Sequence, residues 1–252
     1  MRLDKFLCEM NLGTRSQVKD YVRQGHVTVN GLPEKAAERK IDITHDLVCF
    51  QGRLLSYRQY VYYMLNKPMG VVSATRDNHT ETVVDLLGTG HRADIFPVGR
   101  LDKDTEGFLL LTNDGELAHR LLAPGRHVDK VYQVKVAHPL SSQDVACLEQ
   151  GVDIGEEAYT LPARVEVVDR DQILLTIQEG RFHQVKRMLQ AVDNKVMALK
   201  RVSFGGLVLD PGLEPGACRE LTPGEVELLQ KAGSKKGMDK GKIRRTGGGQ
   251  DT

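Results

Sequence analysis

The chain has 252 residues, 40% hydrophobic and 27% charged, with 35 Lys and Arg against 34 Asp and Glu, a formal net charge of +1. That is an ordinary globular composition, long enough for one large domain or a large one beside a small one. No apolar run approaches the roughly 20 residues a membrane span needs, and the N-terminus "MRLDKFLCEMNLGTR" lacks a signal peptide's unbroken apolar stretch, so a cytoplasmic protein without membrane attachment is expected.

Residues 2–9 predict a first helix with Leu3, Phe6 and Leu7 on one face. "GTRSQVKDYVRQG" predicts a second, with Thr14 as N-cap, Val18, Tyr21 and Val22 inward, and Gly25 as terminator. Arg15, Lys19 and Arg23 recur at four-residue steps along it, a basic stripe that fits a solvated face and a phosphate-binding face equally well. "HVTVNG" then predicts a short strand ending in an Asn-Gly turn. Together these suggest a small N-terminal module with its linker over residues 1–58.

From Val61 the texture becomes strand-rich. Strands are expected at "VYYMLN", "GVVSA", "GFLLLTN", "VYQVKVA", "ARVEVV", "QILLTIQ" and "VMALKRVSF", and helices at "ETVVDLL", "GELAHRLL", "SSQDVACLEQ", "FHQVKRMLQAV" and "TPGEVELLQKA". Strands often follow strands, so residues 59–233 should form an α+β domain on a mainly antiparallel sheet. Residues 234–252 are Gly- and Lys-rich and read as a disordered basic tail. Cys8, Cys49, Cys147 and Cys218 are scattered, which suits reduced thiols better than a disulfide framework or a zinc site.

The near-zero net charge conceals a segregation. Residues 141–160 carry Asp144, Glu149, Asp153, Glu156 and Glu157 and no Lys or Arg. Residues 179–201 carry Arg181, Lys186, Arg187, Lys195, Lys200 and Arg201 against Glu179 and Asp193. Salt screens beyond about 8 Å, so a polyanion answers to the local patch.

The segment "GRLDKDTEG" (99–107) places Asp102, Asp104 and Glu106 at alternate positions before a glycine, as a calcium loop begins. Such a loop needs a bidentate acid at its twelfth position, where this chain has Asn113 after the apolar run "FLLLT". Two readings remain: a plain turn, since Asp and Gly are turn residues, and a loop carboxylate placed for chemistry, with Arg100 two positions before it.

"GRLDKDTEGFLLLTNDGELAHRL" closely resembles the central motif of the bacterial rRNA pseudouridine synthases of the RsuA type. The resemblance runs along nearly the whole chain: "LNKPMGVVSA" matches the preceding family segment, "KVYQVKV" the strand with an active-site tyrosine, and "EGRFHQVKRML" the basic helix. "RLDKFL" and "GTRSQVKDYVRQGHVTVNG" resemble an S4-like RNA-binding domain. By that resemblance Asp102 is the catalytic aspartate, Tyr132 packs against the target base, and Lys186 pairs with the aspartate where related families mostly place Arg. "HQVKRM" is most similar to the small-subunit, 16S rRNA branch.

Pseudouridine formation breaks the base–ribose bond, turns the base and rejoins ribose to a ring carbon. It needs neither redox chemistry nor an external group, so no cofactor and no metal are expected. Asp102 either attacks the anomeric carbon or removes the neighbouring ribose proton, and a cation beside it, Lys186 first and Arg100 second, offsets desolvation of the carboxylate. Extruding the uridine costs a few kcal/mol, and stacking on an aromatic face returns about 1–3 kcal/mol. Taken without the resemblance, Tyr132 reads first as a core strand tyrosine and Lys186 as a solvated helix lysine. His183 and Gln184 lie where they can touch RNA, and Arg181, Arg187, Lys200 and Arg201 are candidates for phosphates. The expected partner is ribosomal RNA within a small-subunit assembly intermediate, met by a monomer. Three rivals are a non-catalytic rRNA-binding assembly protein, a synthase acting on 23S rRNA or tRNA, and a metal-dependent nuclease.

Overall fold

The structure, a computed structural model, describes residues 1–88 and 91–234. The expected tail beyond Ser234 lies outside the described residues. The chain opens with α1 (Leu3–Glu9) and α2 (Arg15–Arg23). Thr14 caps α2 in a capping box: its Oγ1 accepts from Gln17 N, while Gln17 Oε1 accepts from Thr14 N at 2.8 Å. Strands β1 (Val27–Val29), β2 (Leu32–Pro33), β3 (Val48–Phe50) and β4 (Arg53–Leu54) form an antiparallel sheet ordered β2-β1-β3-β4. Asn30 and Gly31, at φ 53° and 80°, turn β1 into β2 as a primed hairpin turn requires. Leu3, Phe6, Leu7, Val18, Val22, Val27, Val29 and Val48 close a core of their own. Arg15, Lys19 and Arg23 lie exposed on α2, and Arg23 pairs with Asp20.

A second, larger sheet takes up the rest of the described chain. Its elements in order are β5 (Tyr62–Lys67), β6 (Phe96–Pro97), β7 (Glu106–Thr112), α3 (Gly115–Leu122), β8 (Lys130–Val136), α4 (Ser142–Gln150), β9 (Arg164–Asp169), β10 (Gln172–Ile177), α5 (Gln184–Gln190), β11 (Val196–Phe204), β12 (Leu207–Val208), β13 (Cys218–Glu220) and α6 (Pro223–Ser234). The sheet runs β13-β5-β7-β11-β8-β10-β9, with β12 beside β11 and β6 beside β7. Every pairing is antiparallel except β7 with β11. The expected α+β architecture on a mainly antiparallel sheet is therefore the observed one.

β7 explains the apolar run "FLLLT". It is central, and both faces are covered: Leu109 and Leu111 enter one core with Leu65, Val134 and Leu175, while Phe108 and Leu110 enter another with Met64, Leu117 and Phe204. A strand buried on both sides shows no polar alternation. Gly107 permits the parallel crossing with β11, since a Cβ there would stand 2.3 Å from the Arg201 carbonyl oxygen and its φ is +101°.

Two expected elements are shorter than their patterns. The strand at "GVVSA" is a single bridge between Val72 and Thr82. The helix at "ETVVDLL" contracts to a 3-10 turn, Asp85–Leu87. The β-branched run Thr82-Val83-Val84 disfavours helix, and Asp85 accepts from both the N–H and the hydroxyl of Thr82 at 2.8 Å, closing a local turn instead. Among the described residues no helix is long and apolar enough to cross a membrane.

Candidate active site

Asp102 stands on the loop between β6 and β7, and that loop is held from three sides. Val98 N donates to the Leu110 carbonyl, keeping the entry on the sheet. Ser73, from the segment expected as a strand, accepts from Leu101 N at 3.0 Å and donates to its carbonyl at 2.8 Å. Beneath the loop lies Lys67, the last residue of β5 and 0% exposed. Its ammonium donates to the carbonyls of Pro68, Asp102 and Thr105 at 3.0, 3.0 and 2.9 Å, one for each N–H. Burial pushes Lys67 down to about 8.

The Asp102 carboxylate faces α5. Lys186 Nζ donates to Asp102 Oδ2 at 3.1 Å and to Asp104 Oδ1 at 2.6 Å. Burial works against the charge on Lys186, but its bonds to Asp104 and Asp102 outweigh that and hold its pKa above the ordinary lysine value. The bond to Lys186 holds Asp104 below the usual carboxylate range. Two acids of the calcium-like pattern thus share an ammonium, while Asn113 lies at the far end of β7, accepting from Val61 N. Val185, Met188 and Leu189 bury the opposite face of α5, which fixes Lys186 toward the loop. His183, in a left-handed conformation at φ 50°, puts Nε2 3.6 Å from Asp102 Oδ1. Its ring stacks at 3.8 Å on Phe182, which is 73% exposed.

Asp102, Lys186 and His183 rim a cleft of about 540 Å³, and Arg100 and Tyr132 also line it. Tyr132 on β8 is 8% exposed, opposite Leu175 on one neighbouring strand and Arg201 on the other. The structure therefore brings Asp102, Tyr132 and Lys186 together around one cavity. Arg100 is exposed at its edge, and among the described residues it forms no ion pair, so Lys186 alone of the two expected cations meets the carboxylate.

The candidate RNA contacts on and around α5 have partners within the protein. Arg181 pairs with Glu179 and Glu156 and donates to the carbonyls of Ala158 and Tyr159. Arg187 pairs with Glu156 and donates to the carbonyls of Phe182 and Ile154. Gln184 is buried, donating to Glu179 and accepting from Arg181 N. Arg181 and Arg187 fasten the 154–159 loop to the base of α5, and part of the acidic segment neutralises part of the basic one. Arg201, expected on a phosphate, is buried in the cleft floor, where Nε donates to the Phe108 carbonyl at 2.7 Å.

Comparison with known proteins agrees with this geometry. Residues 61–191 match the RNA pseudouridylate synthase family and residues 1–48 the S4 domain. The chain is 49% identical over 234 residues to the uncharacterized RNA pseudouridine synthase YtzG of Bacillus subtilis, covering 91% of this chain and 98% of that protein. It is 40% identical to the ribosomal small subunit pseudouridine synthase A of Vibrio cholerae, covering 92% and 100% respectively. A solved structure described as a pseudouridylate synthase superimposes with a TM-score of 0.65 at 40% identity, over 91% of this chain and 99% of that one. On the breadth of these matches, the chain belongs to the RNA pseudouridylate synthase family and carries an S4 domain at its N-terminus.

Proposed function

We propose that the protein isomerises a specific uridine of small-subunit 16S rRNA to pseudouridine, with Asp102 as the catalytic carboxylate acting on a flipped-out base. The observation that carries this reading is the double grip on Asp102: Lys67 holds its backbone and Lys186 its carboxylate, at the rim of a cleft containing Tyr132. The ammonium of Lys186 lies where it can offset negative charge on Asp102 in both possible routes. In one route Asp102 attacks C1′; in the other it takes the C2′ proton. Tyr132 offers a flat face to the extruded base, which recovers part of the unstacking cost. The small-subunit assignment rests on relatives such as the Vibrio cholerae enzyme, similar along its full length. We place the reaction on an assembly intermediate, because extruding a base is least costly where it is not yet paired or packed.

Mapping pseudouridines in rRNA from a deletion strain tests chemistry and substrate together. One 16S position should lose its modification and regain it with the wild-type gene but not with Asp102→Asn, which keeps size and hydrogen bonding and loses the charge. An unchanged 16S map with a missing 23S position would refute the substrate, and restoration by Asp102→Asn would refute the catalytic role.

A further inference from the structure

The cleft floor holds two cations for which the chemistry above has no use. Arg201 enters from β11, opposite Tyr132, and Lys130 from β8, two residues before Tyr132 and on the same face. They are 2% and 8% exposed, and both line the cleft. Arg201 spends Nε on the Phe108 carbonyl, while its Nη2 is buried without a partner. Lys130 spends one N–H on the Val128 carbonyl at 2.9 Å. Ion pairs around the cleft belong to Arg181, His183, Lys186 and Arg187; among the described residues neither Lys130 nor Arg201 is in one. Burial first, and repulsion from Arg201 second, push Lys130 down to about 8. The Phe204 ring lies 5.1 Å from the Arg201 guanidinium and 5.8 Å from the Lys130 ammonium, which offsets part of the cost of burial. It leaves the buried donors unsatisfied.

We infer that Arg201, with Lys130 beside it, receives the carbonyl-oxygen edge of the target uracil, selecting uridine over cytidine and stabilising the base as it departs. The inference rests on the proposed placement of the base against Tyr132. From there Arg201 is one strand away, about 4.8 Å, and Lys130 two residues along, about 7 Å. Uracil presents acceptors at O2 and O4, whereas cytosine carries an amino donor at position 4. A donor facing a donor in a closed site leaves both unpaired, and that is how buried polar groups discriminate strongly. Either route at Asp102 breaks N1–C1′ with the electron pair leaving on the base, where it spreads onto O2 and O4. C5 then forms the new bond to C1′ with a pair from the base, C5 loses its proton and N1 gains one, so the composition is unchanged. A cationic floor answers charge that grows during the first step. A backbone phosphate does not fit as well: the RNA chain stays at the rim beside Asp102, and only an extruded base reaches the floor.

The test compares full-length wild type with Arg201→Met, which keeps length and removes the charge. On a transcript containing the mapped uridine, the single-turnover rate should fall roughly 100-fold, as for loss of one preorganised donor. Binding to the intact transcript should weaken, while binding to one abasic at that position should not change. By saturation-transfer NMR, wild type should favour uridine 5′-monophosphate over cytidine 5′-monophosphate, and the variant should not. The melting temperature should hold or rise, because an unpaired buried charge is gone. If Arg201→Met does not fold, Arg201→Lys, which keeps the charge and loses the fork, carries the same comparison. A rate within threefold of wild type, equal weakening on abasic RNA, or equal binding of the two nucleotides by wild type would overturn the inference. If wild type converts nothing in the transcript but its uridine preference still depends on Arg201, the rRNA assignment fails and this one stands.

Discussion

Lys67 couples the core to the proposed catalytic Asp102 from outside the cleft lining. Its ammonium is the common anchor of the Pro68, Asp102 and Thr105 carbonyls, so Lys67→Met leaves three acceptors to relax separately. A displacement of about 1 Å at the reacting group can cost 100-fold, and single-turnover kinetics should show a loss of that order in the chemical step with RNA affinity nearly unchanged. The variant also has a pH signature. Lys67 holds its proton less tightly folded, about 8, than at the ordinary 10.5. Between those values the unfolded chain binds the extra proton, so this group makes stability rise with pH there and contributes no slope below or above. Melting temperatures from pH 8 to 10.5 should therefore climb less steeply, or fall more steeply, in Lys67→Met than in wild type; identical slopes would show that Lys67 does not titrate in this window. Lys67 follows Leu65, Lys130 precedes Tyr132 and Arg201 follows Leu199 at the two-residue spacing of one strand face, yet neither lysine was expected at the site and Arg201 was expected on a phosphate. Their partners were not legible. The carbonyl that Arg201 meets is 93 residues away in sequence, and alternation along one strand says nothing about the neighbour it will find.

Strand β7 connects the hydrophobic cores to the Asp102 loop, and its crossing with β11 is the tightest point. Lys200 and Arg201 run beside Glu106 and Gly107 there. Gly107→Ala puts a methyl 2.3 Å from the Arg201 carbonyl and 2.8 Å from its nitrogen, in a backbone region that L-residues disfavour. Overpacking of this kind costs about 1–3 kcal/mol, and the strain adds about 1–2 kcal/mol. Urea unfolding should register a loss of about 2–5 kcal/mol. A loss below about 0.5 kcal/mol, the size of an ordinary surface change, would show that the junction yields. The long elements were readable because their patterns are long: "VMALKRVSF" is β11 from end to end, and "GELAHRLL" is α3. "GVVSA" and "ETVVDLL" misled because short apolar runs specify burial but not conformation. Val71, Val83 and Val84 are buried as their hydropathy demands, in irregular backbone that delivers Ser73 to the Asp102 loop.

On the scale of the molecule, a buried guanidinium sits at the junction of the N-terminal unit and the larger sheet, beside the bonds from Ala93 N to the Glu9 carbonyl and between Asn11 and His91. Arg92, 7% exposed, pairs with Glu9 of α1 at 3.1 Å and with Asp94 at 2.7 Å. It also lies 4.7 Å from the centre of the Tyr57 ring, whose hydroxyl donates to Glu9 as well. The bond to Asp94 first, and Tyr57 after it, hold Arg92 above its ordinary value against the effect of burial. Arg92→Ala removes the centre of this junction and leaves Glu9 with the Tyr57 hydroxyl and Lys5; truncating one partner of a buried charge pair costs about 2–5 kcal/mol. The two units have separate hydrophobic cores, so the loss should fall on their docking. Calorimetry should show the single transition broadening or splitting, with the N-terminal unit melting first. Arg15 and Lys19 lie exposed on α2; on the proposal that they hold phosphates, docking fixes their distance from the cleft and raises the effective concentration of the target uridine there. Undocking should weaken RNA binding without changing the number of phosphate contacts, so affinity falls while the slope of log affinity against log salt stays the same. The rate at saturating RNA should remain within a few fold of wild type, since Asp102, Lys186 and Tyr132 are untouched. If Arg92→Ala instead slows the bound complex 100-fold with affinity intact, the N-terminal unit helps to build the active site, and the division of labour between gripping RNA and transforming uridine does not hold.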